Sequence, residues 1–361
     1  MDTRKKMFKF FLIVLTVVIL CVVNSGILSY AEPAAKPIKL LWATFTPPRD
    51  YSTEAMQAFA EDLKKSSGGK VEIELSLGGA LAPAPQLYDK LVAGACDMIF
   101  FQPYLVTGVF PYAEVTALPC MLPNGVAGAK AILSLFKKGY VDKAWDKVKL
   151  IWPHIGGGAV IFWHDKPVTT IADFANKKIR TFSPPLTEAM SALGAVPVTM
   201  SVMEVYGALE KGTIHGMWGG YMAVIPFKFH EVVKYVTEMD MSAGLLCAAM
   251  NLNSYKKLPK DIQKIIDEMS YPNEKYTIEA AKRAEAEEII GRKKIEEAGR
   301  IDKLAPEELS KMDPLLAPIW TKWIADKEAK GLKPKEMLAE FYSLLKAAGV
   351  EKPFVGYTPG N

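Results

Sequence analysis

The chain has 361 residues, of which 50% are hydrophobic and 23% charged, and this length suggests two lobes with a core in each rather than one. Residues 1–31 contain four of the 44 lysines and arginines and one of the 40 acidic residues, so the rest of the chain carries 40 basic and 39 acidic side chains. Because the net charge of +4 lies mostly in that first segment, we expect no nucleic-acid partner.

The first element in chain order is typical of an export signal. Four basic residues within the first nine precede an apolar run at 10–23, and a small-residue cleavage site follows at Ser29-Tyr30-Ala31. The run is short for a membrane span but suits the apolar core of a signal peptide. We therefore predict a signal peptide at 1–31, a mature chain that begins at or near Glu32, and a periplasmic protein. The alternative is an uncleaved N-terminal anchor.

The next elements alternate between strand and helix. A strand-like run at 38–45 is followed by a helix for which Ser52 or Thr53 is the expected N-cap. A strand at 70–77 comes next, and after it a helix, a glycine-containing turn and a strand that ends at Phe101. This alternation predicts an α/β lobe with a mostly parallel sheet.

A second α/β unit begins near 149–165 and continues through further strands and helices. The apolar run at 244–253 is expected to return to the first lobe. We therefore predict lobe I at 32–154 with 243–272 returning to it, and lobe II at 155–242. A chain that crosses between lobes more than once forms a hinge rather than a simple tether.

The C-terminal part, 273–361, is predicted to be helical and charged. Its first helix has Glu279 with Arg283 and Glu288 with Arg292 at i,i+4 spacing, which suits ion pairs within a solvated helix face. Two or three more helices are expected after it.

The chain lacks the motifs of common enzymes and metal sites. It has no G-x-S-x-G, H-E-x-x-H, P-loop or dinucleotide fingerprint, and its four histidines lack metal-ligand spacing. After residue 31 the chain has three cysteines, Cys96, Cys120 and Cys247. They are far apart and odd in number, which argues against a disulfide framework. Two alternatives remain: one disulfide pair, or free thiols. We predict no enzyme, no cofactor and no metal.

The stretch NKKIRTFSPPLTEAMSALG at 176–194 holds the strongest candidate for a binding residue. Arg180 lies near the end of a strand-like run, and Ser183 is a suitable N-cap with Pro184 at the first helical position. Because prolines lack N–H groups, this helix start offers few backbone donors to an anion, whereas the Arg180 guanidinium matches a carboxylate. Ligands gather at the carboxyl ends of strands in such lobes. These residues alone are equally compatible with two roles for Arg180, a carboxylate-binding site and a surface salt bridge.

Five stretches carry a family resemblance: SSGGKVEIEL, LYDKLVAGACDMIF, the run from KKIRTF to HGMWGG at 177–220, VVKYVT and NLNSYKKLPKDIQKIIDE. In this order they closely resemble the substrate-binding proteins of TRAP transporters, a family first known from the uptake of C4-dicarboxylates. The resemblance covers roughly 38–345.

This resemblance implies a two-lobed periplasmic-binding-protein fold of the α/β class, with hinge crossings and a long helix, within 273–361, that braces both lobes. It also implies a cleft that closes over an organic acid and a TRAP-type membrane permease as partner. The carboxylate-clamping arginine of the family follows a lysine–isoleucine pair, and Arg180 stands at that position. The expected ligand is therefore a small-molecule carboxylate.

Two departures from the family bear on the ligand. The family often has Asp where this chain has His215, and many dicarboxylate and sialic-acid binders have Asn where it has Gly219. Trp218 is instead similar to the branch that binds keto acids and other monocarboxylates. We therefore expect a monocarboxylate, with a C4-dicarboxylate as the alternative.

Further contacts are expected from aromatic and polar side chains near the cleft. Trp218 and Phe182 flank the recognised motif, and Gln102 follows a strand end. The remaining candidates are Phe45, Tyr88, Trp163, Tyr221 and His215.

The leading hypothesis for function is thus a periplasmic solute receptor for a TRAP-type permease. A binding protein for another transporter or a sensor is the runner-up, and a neighbouring permease gene separates the two. A secreted hydrolase is the third class. The sequence leaves the oligomeric state open.

Overall fold

The computed structural model describes Met7 and the ranges 36–119, 125–140, 142–156, 158–239, 241 and 244–360. The predicted export signal, Met7 apart, and Cys120 lie outside these residues. Cys96 and Cys247 are buried free thiols. Among the described helices, none combines the length and apolar character needed to cross a membrane.

The first sheet contains five strands in the order β2-β1-β3-β10-β4. They are β1 Ile38–Thr44, β2 Val71–Ser76, β3 Met98–Phe101, β4 Val148–Ile155 and β10 Leu245–Asn251. β1 and β3 are parallel, but β10 runs antiparallel to both β3 and β4. The prediction of a mostly parallel sheet is therefore wrong. β4 carries the chain out of this sheet and β10 brings it back, so the two strands run in opposite directions.

The second sheet contains six strands in the order β11-β9-β5-β8-β6-β7. They are β5 Val160–Trp163, β6 Lys178–Thr181, β7 Val196–Thr199, β8 Gly216–Gly219, β9 Tyr235–Glu238 and β11 Arg300–Lys303. β6 is parallel to β7 and β8, whereas β5 is antiparallel to β8 and β9. The described residues from Lys39 onward form one compact unit that contains both sheets. The residue boundaries of the lobes therefore stay a prediction.

Ten α-helices accompany the sheets in the described part of the chain. They are α1 Tyr51–Ser66, α2 Leu87–Val92, α3 Gly125–Lys137, α4 Pro184–Ala192, α5 Val202–Glu210, α6 Leu252–Lys257, α7 Lys260–Met269, α8 Lys275–Ala298, α9 Pro306–Ala329 and α10 Pro334–Ala347. The predicted caps of α1 are wrong. Asp50 precedes the helix and its carboxylate accepts the N–H of Ser52 at 2.9 Å, so Ser52 and Thr53 lie inside the first turn.

The long helix α8 contacts elements of both sheets. It packs against α1 and α3 beside the first sheet, and against β11 and the turn at 221–223 beside the second. Arg283 pairs with Glu54 of α1, and Arg292 pairs with Glu238 of β9, both at 3.0 Å, while Arg292 also pairs with Glu296 one turn along the same helix. The pairs with Glu54 and Glu238 form because the helix is sandwiched between neighbours instead of lying free in solvent.

The start of α4 positions the recognised motif. Ser183 occupies the N-cap position as predicted, but its hydroxyl makes no capping hydrogen bond. The reason is that Pro184 and Pro185 fill the first two helical positions and have no N–H to donate. Arg180 lies just before this turn, on β6.

Candidate functional site

A cavity of about 450 Å³ lies between the ends of the strands of the two sheets. Phe45 follows β1 and Gln102 follows β3, while Arg180 lies on β6 and Met200 follows β7. Loops at strand ends from both sheets therefore build one binding space, as ligand sites of α/β folds commonly do.

Arg180 is the central polar group of this cavity and is only 7% exposed. Its Nε donates to the carbonyl oxygen of Met200 at 3.2 Å, and its Nη1 donates to that of Trp218 at 3.4 Å. The guanidinium carbon lies 4.8 Å from the ring centroid of Phe182, in the geometry of a cation–π contact. None of the described acidic side chains pairs with Arg180. A surface salt bridge is therefore not its role.

Among the described residues, only these neutral groups contact the charged guanidinium of Arg180. Burial lowers the pKa of Arg180 to about 10, so the guanidinium stays cationic at neutral pH. A guanidinium has five N–H groups, and the two carbonyl oxygens use one on Nε and one on Nη1. The others, including both on Nη2, donate to no residue that the structure describes. An anion in the cavity would complete this hydrogen bonding.

Tyr104 faces the same part of the cavity from the first sheet. It is 2% exposed, and its hydroxyl has no hydrogen-bond partner among the described residues. Burial raises the pKa of Tyr104 and the nearby Arg180 charge partly offsets this, so the hydroxyl is neutral and able to donate. The ring centroids of Tyr104 and Phe182 are 6.0 Å apart. Gln102, two residues before Tyr104, adds a partly exposed amide.

The start of α1 contributes a different set of polar groups to the cavity. Asp50 and Tyr51 both line it, and the hydroxyl of Tyr51 lies 3.2 Å from Nε2 of His154. Burial lowers the pKa of His154 to about 3, so the imidazole is neutral. Because burial raises the pKa of Tyr51 well above its usual value, the phenol keeps its proton. The described residues that line this part of the cavity therefore carry no positive charge.

Four predicted site residues line the cavity: Arg180, Phe182, Gln102 and Phe45. Trp218 is not among the residues that line the cavity, and its contact with the ligand stays a prediction. Met217 and Gly219 of β8 line the cavity, and since side chains alternate along a strand, the Trp218 side chain lies on the opposite face, 1% exposed. Trp218 reaches the site only through its carbonyl oxygen, which accepts from Arg180.

Four other predicted contacts also lie outside the cavity lining, and each has a structural partner. Tyr221 donates to Glu238 at 3.0 Å, and Tyr88 donates to the carbonyl oxygen of Ala144 at 3.1 Å. Nε1 of Trp163 donates to Thr237 at 2.8 Å. Nδ1 of His215 accepts the backbone N–H of Lys178, also at 2.8 Å. These side chains complete the hydrogen bonding of the folded lobes.

Sequence reasoning missed several residues that line the cavity. Tyr104 and Asp50 lie within a few residues of strand ends, so the rule that singled out Arg180 and Gln102 also covers them. The methionines at the cavity, such as Met200 and Met217, carry no comparable signal because methionine is common in any core.

Comparisons with known proteins agree with this fold. The family model for bacterial extracellular solute-binding protein, family 7 (DctP), matches residues 42–327. The ectoine-binding periplasmic protein TeaA of Halomonas elongata is 25% identical over 313 residues, which cover 84% of this chain and 88% of that protein. The C4-dicarboxylate-binding periplasmic protein DctP of Rhodobacter capsulatus is 26% identical over 312 residues, 81% of this chain and 88% of that protein.

Solved structures of TRAP solute-binding proteins share the fold. One from Rhodoferax ferrireducens, in complex with copurified benzoate, is 26% identical with a TM-score of 0.79, and the match covers 86% of this chain and 98% of that one. A marine metagenome TRAP protein specific for aromatic acids is 23% identical with a TM-score of 0.80, over 87% of this chain and 100% of that one. With the family model matching most of its length, the chain belongs to the bacterial extracellular solute-binding proteins of family 7, the TRAP periplasmic solute receptors.

Proposed function

We propose that the solute bound by this receptor is a monocarboxylate with an aromatic or other apolar body. The observation that carries the proposal is Arg180. It is the one cationic side chain among the described residues that line the cavity, and its charge has only carbonyl partners. A carboxylate is the ligand group that a guanidinium fork binds best.

The cavity walls suit an apolar body next to that carboxylate. Phe182 covers one face of the guanidinium, and Phe45, Met200, Met217 and Phe227 supply further apolar surface. The volume of about 450 Å³ lies within the usual range for small-ligand sites.

A second carboxylate on the ligand would have no favourable place among the described lining residues. It would find no second cation, and a charge buried without a partner is costly. Relatives of similar identity carry ectoine or C4-dicarboxylates in their names, so relatedness alone does not select the ligand. The benzoate copurified with the Rhodoferax ferrireducens protein supports an aromatic monocarboxylate.

Export and delivery belong to the same proposal. The segment 1–31 directs the chain to the periplasm, and the loaded receptor passes its ligand to a TRAP-type integral membrane permease. Family membership supports both steps. A permease gene beside the gene for this chain would favour that partner over another transporter or a sensor.

Titration calorimetry on the purified mature protein tests the ligand class. We expect benzoate to bind more tightly than succinate or malate, because only the monocarboxylate leaves no charge unpaired. Mass spectrometry of molecules retained through purification gives an independent readout. Clearly tighter binding of succinate or malate would contradict the proposal.

A further inference from the structure

We infer that Asp50 forms a second recognition point in the cavity, where its carboxylate accepts a hydrogen bond from a hydroxyl or protonated amine on the ligand. This inference rests on the proposed function, in which Arg180 holds the ligand carboxylate. Asp50 and Arg180 both line the cavity, yet they form no ion pair with each other. A ligand with an acidic group and a donor group can therefore engage both residues at once.

The hydrogen bonding of Asp50 is only half satisfied by the described part of the protein. Its Oδ1 accepts the backbone N–H of Ser52 at 2.9 Å and also the Ser52 hydroxyl. Its Oδ2 accepts from no described residue, and no described lysine or arginine pairs with it. Asp50 is nevertheless only 5% exposed. An ionised carboxylate with an unused oxygen, on a buried residue that lines a ligand space, is a strong acceptor for a ligand donor.

The surroundings of Asp50 favour a donor or a cation and oppose an anion. Glu54 lies one turn along α1 and Glu287 projects from α8, and the charges of both act on Asp50. Burial, opposed by the Ser52 hydrogen bonds and aided by these charges, raises the pKa of Asp50 to about 6. Asp50 is therefore mainly ionised at pH 7.5. Tyr51, the other neighbour on α1, stays neutral, and Arg283 is already paired with Glu54.

The two charged residues thus give the cavity opposite signs at two points. The matching ligand class is an aromatic or apolar carboxylic acid that also carries a hydroxyl or an ammonium group. A hydroxyl and an ammonium group both donate to a carboxylate but differ in charge. Binding titrations with ligands of each kind can therefore distinguish the two. The second carboxylate of a dicarboxylate would be repelled by Asp50, and the described lining residues offer it no second cation.

The test uses Asp50→Asn, which keeps an N-cap oxygen for α1 because asparagine is also a favoured cap. Glu54→Gln is the matched control, since it removes a negative charge from the same helix without changing the cavity lining. Thermal unfolding of both variants verifies that they fold. The probes are benzoate, the three hydroxybenzoates and the three (aminomethyl)benzoates, titrated at pH 7.5.

We expect at least one donor-bearing isomer to bind wild type about tenfold or more tighter than benzoate, as a hydrogen bond to a charged group allows. Asp50→Asn should lower the ratio of the affinities for that isomer and for benzoate to about threefold or less, whereas Glu54→Gln should keep this ratio near its wild-type value. If only the hydroxybenzoates bind more tightly than benzoate, the donor is a hydroxyl group. If only the (aminomethyl)benzoates do, it is an ammonium group. The inference is overturned if no isomer exceeds benzoate, or if Asp50→Asn leaves the advantage intact. If the wild type still binds benzoate in that case, the proposed function stands. If the wild type does not bind benzoate, both the inference and the proposed function are overturned.

Discussion

Arg180 carries a positive charge in a place from which most of the water is excluded. A buried guanidinium is usually paired with an acidic side chain, because desolvation without a counter-charge is unfavourable. Here the stabilising groups are two carbonyl oxygens and the face of Phe182. These partners orient the side chain but do not neutralise it. The residue is therefore set up for an anionic ligand.

Replacing Arg180 tests this role. Losing one partner of a desolvated charge pair costs roughly 2–5 kcal/mol, so Arg180→Ala should weaken benzoate binding at least about thirtyfold. Arg180→Lys should restore only part of it, because an ammonium cannot form the planar fork. Calorimetry measures both, with Arg300→Ala as a control, since Arg300 is an exposed arginine on β11. Near-normal affinity in a folded Arg180→Ala protein would contradict the carboxylate assignment.

Tyr104→Phe should change affinity and stability in opposite directions. The hydroxyl is buried without a described partner, so its removal should leave the free protein as stable or more stable by up to about 1 kcal/mol. The same change should weaken carboxylate binding about tenfold, because a hydrogen bond to a charged group is lost. Urea unfolding and calorimetry give the two quantities. A loss of stability with unchanged affinity would show that Tyr104 is purely structural.

The sequence shows which residues lie at strand ends, but it does not show which face of a strand their side chains occupy. Arg180, Gln102 and Phe45 line the cavity, and their positions at strand ends are visible in the sequence pattern. Trp218 does not line the cavity, because the face of β8 that meets the cavity depends on register against β5 and β6, which the sequence does not display. Only the fold decides which of two alternate faces becomes the binding surface.

At the scale of elements, local patterns predicted most helices and strands but not their mutual direction. The run at 244–253 was predicted as a strand and is β10, yet its antiparallel pairing with β3 and β4 depends on where the chain re-enters the sheet. The ion pairs of α8 also depend on its neighbours. Arg283 and Arg292 reach Glu54 and Glu238 because those carboxylates lie on packed neighbours, and Arg292 also pairs with Glu296 within the helix.

Gly291 lies where α8 packs tightly against the turn at 221–223. A methyl group at this position would overlap the carbonyl oxygen of Tyr221. Alanine is normally the better helix former, but here Gly291→Ala should destabilise the protein by roughly 1–3 kcal/mol through overpacking. Gly207→Ala in α5 is the control, because nothing lies within 4 Å of its added methyl group, and it should stabilise by about 0.5–1 kcal/mol.

Urea unfolding of the two mature variants measures these opposite effects. A stabilising Gly291→Ala would mean that α8 is not held tightly against the turn at 221–223. The pair separates helix propensity from packing, since both substitutions are Gly→Ala inside a helix.

At the scale of the whole molecule, several connections join the two sheets. The chain passes from β4 to β5, returns from β9 to β10, and runs through α8 to β11. α9 adds further links, with Lys327 paired to Glu114 and Lys322 paired to Glu188, both at 2.5 Å. Multiple short crossings constrain the lobes to rotate about one region instead of moving freely.

Ligand binding should therefore close the cavity by hinge bending. Arg180 lies on β6 of the second sheet with Phe182 directly after it, and Tyr104 lies in the turn after β3 of the first sheet, so a ligand that contacts all three is bound most tightly when the lobes approach. A ligand shifts such an equilibrium only through its tighter binding to the closed state. Small-angle scattering of the mature protein should show a smaller radius of gyration with saturating benzoate. Arg180→Ala should show no contraction at the same concentration, because it lacks the contact that couples the ligand to the second lobe. An unchanged radius in the wild type at confirmed saturation would mean that the receptor binds its ligand without lobe closure.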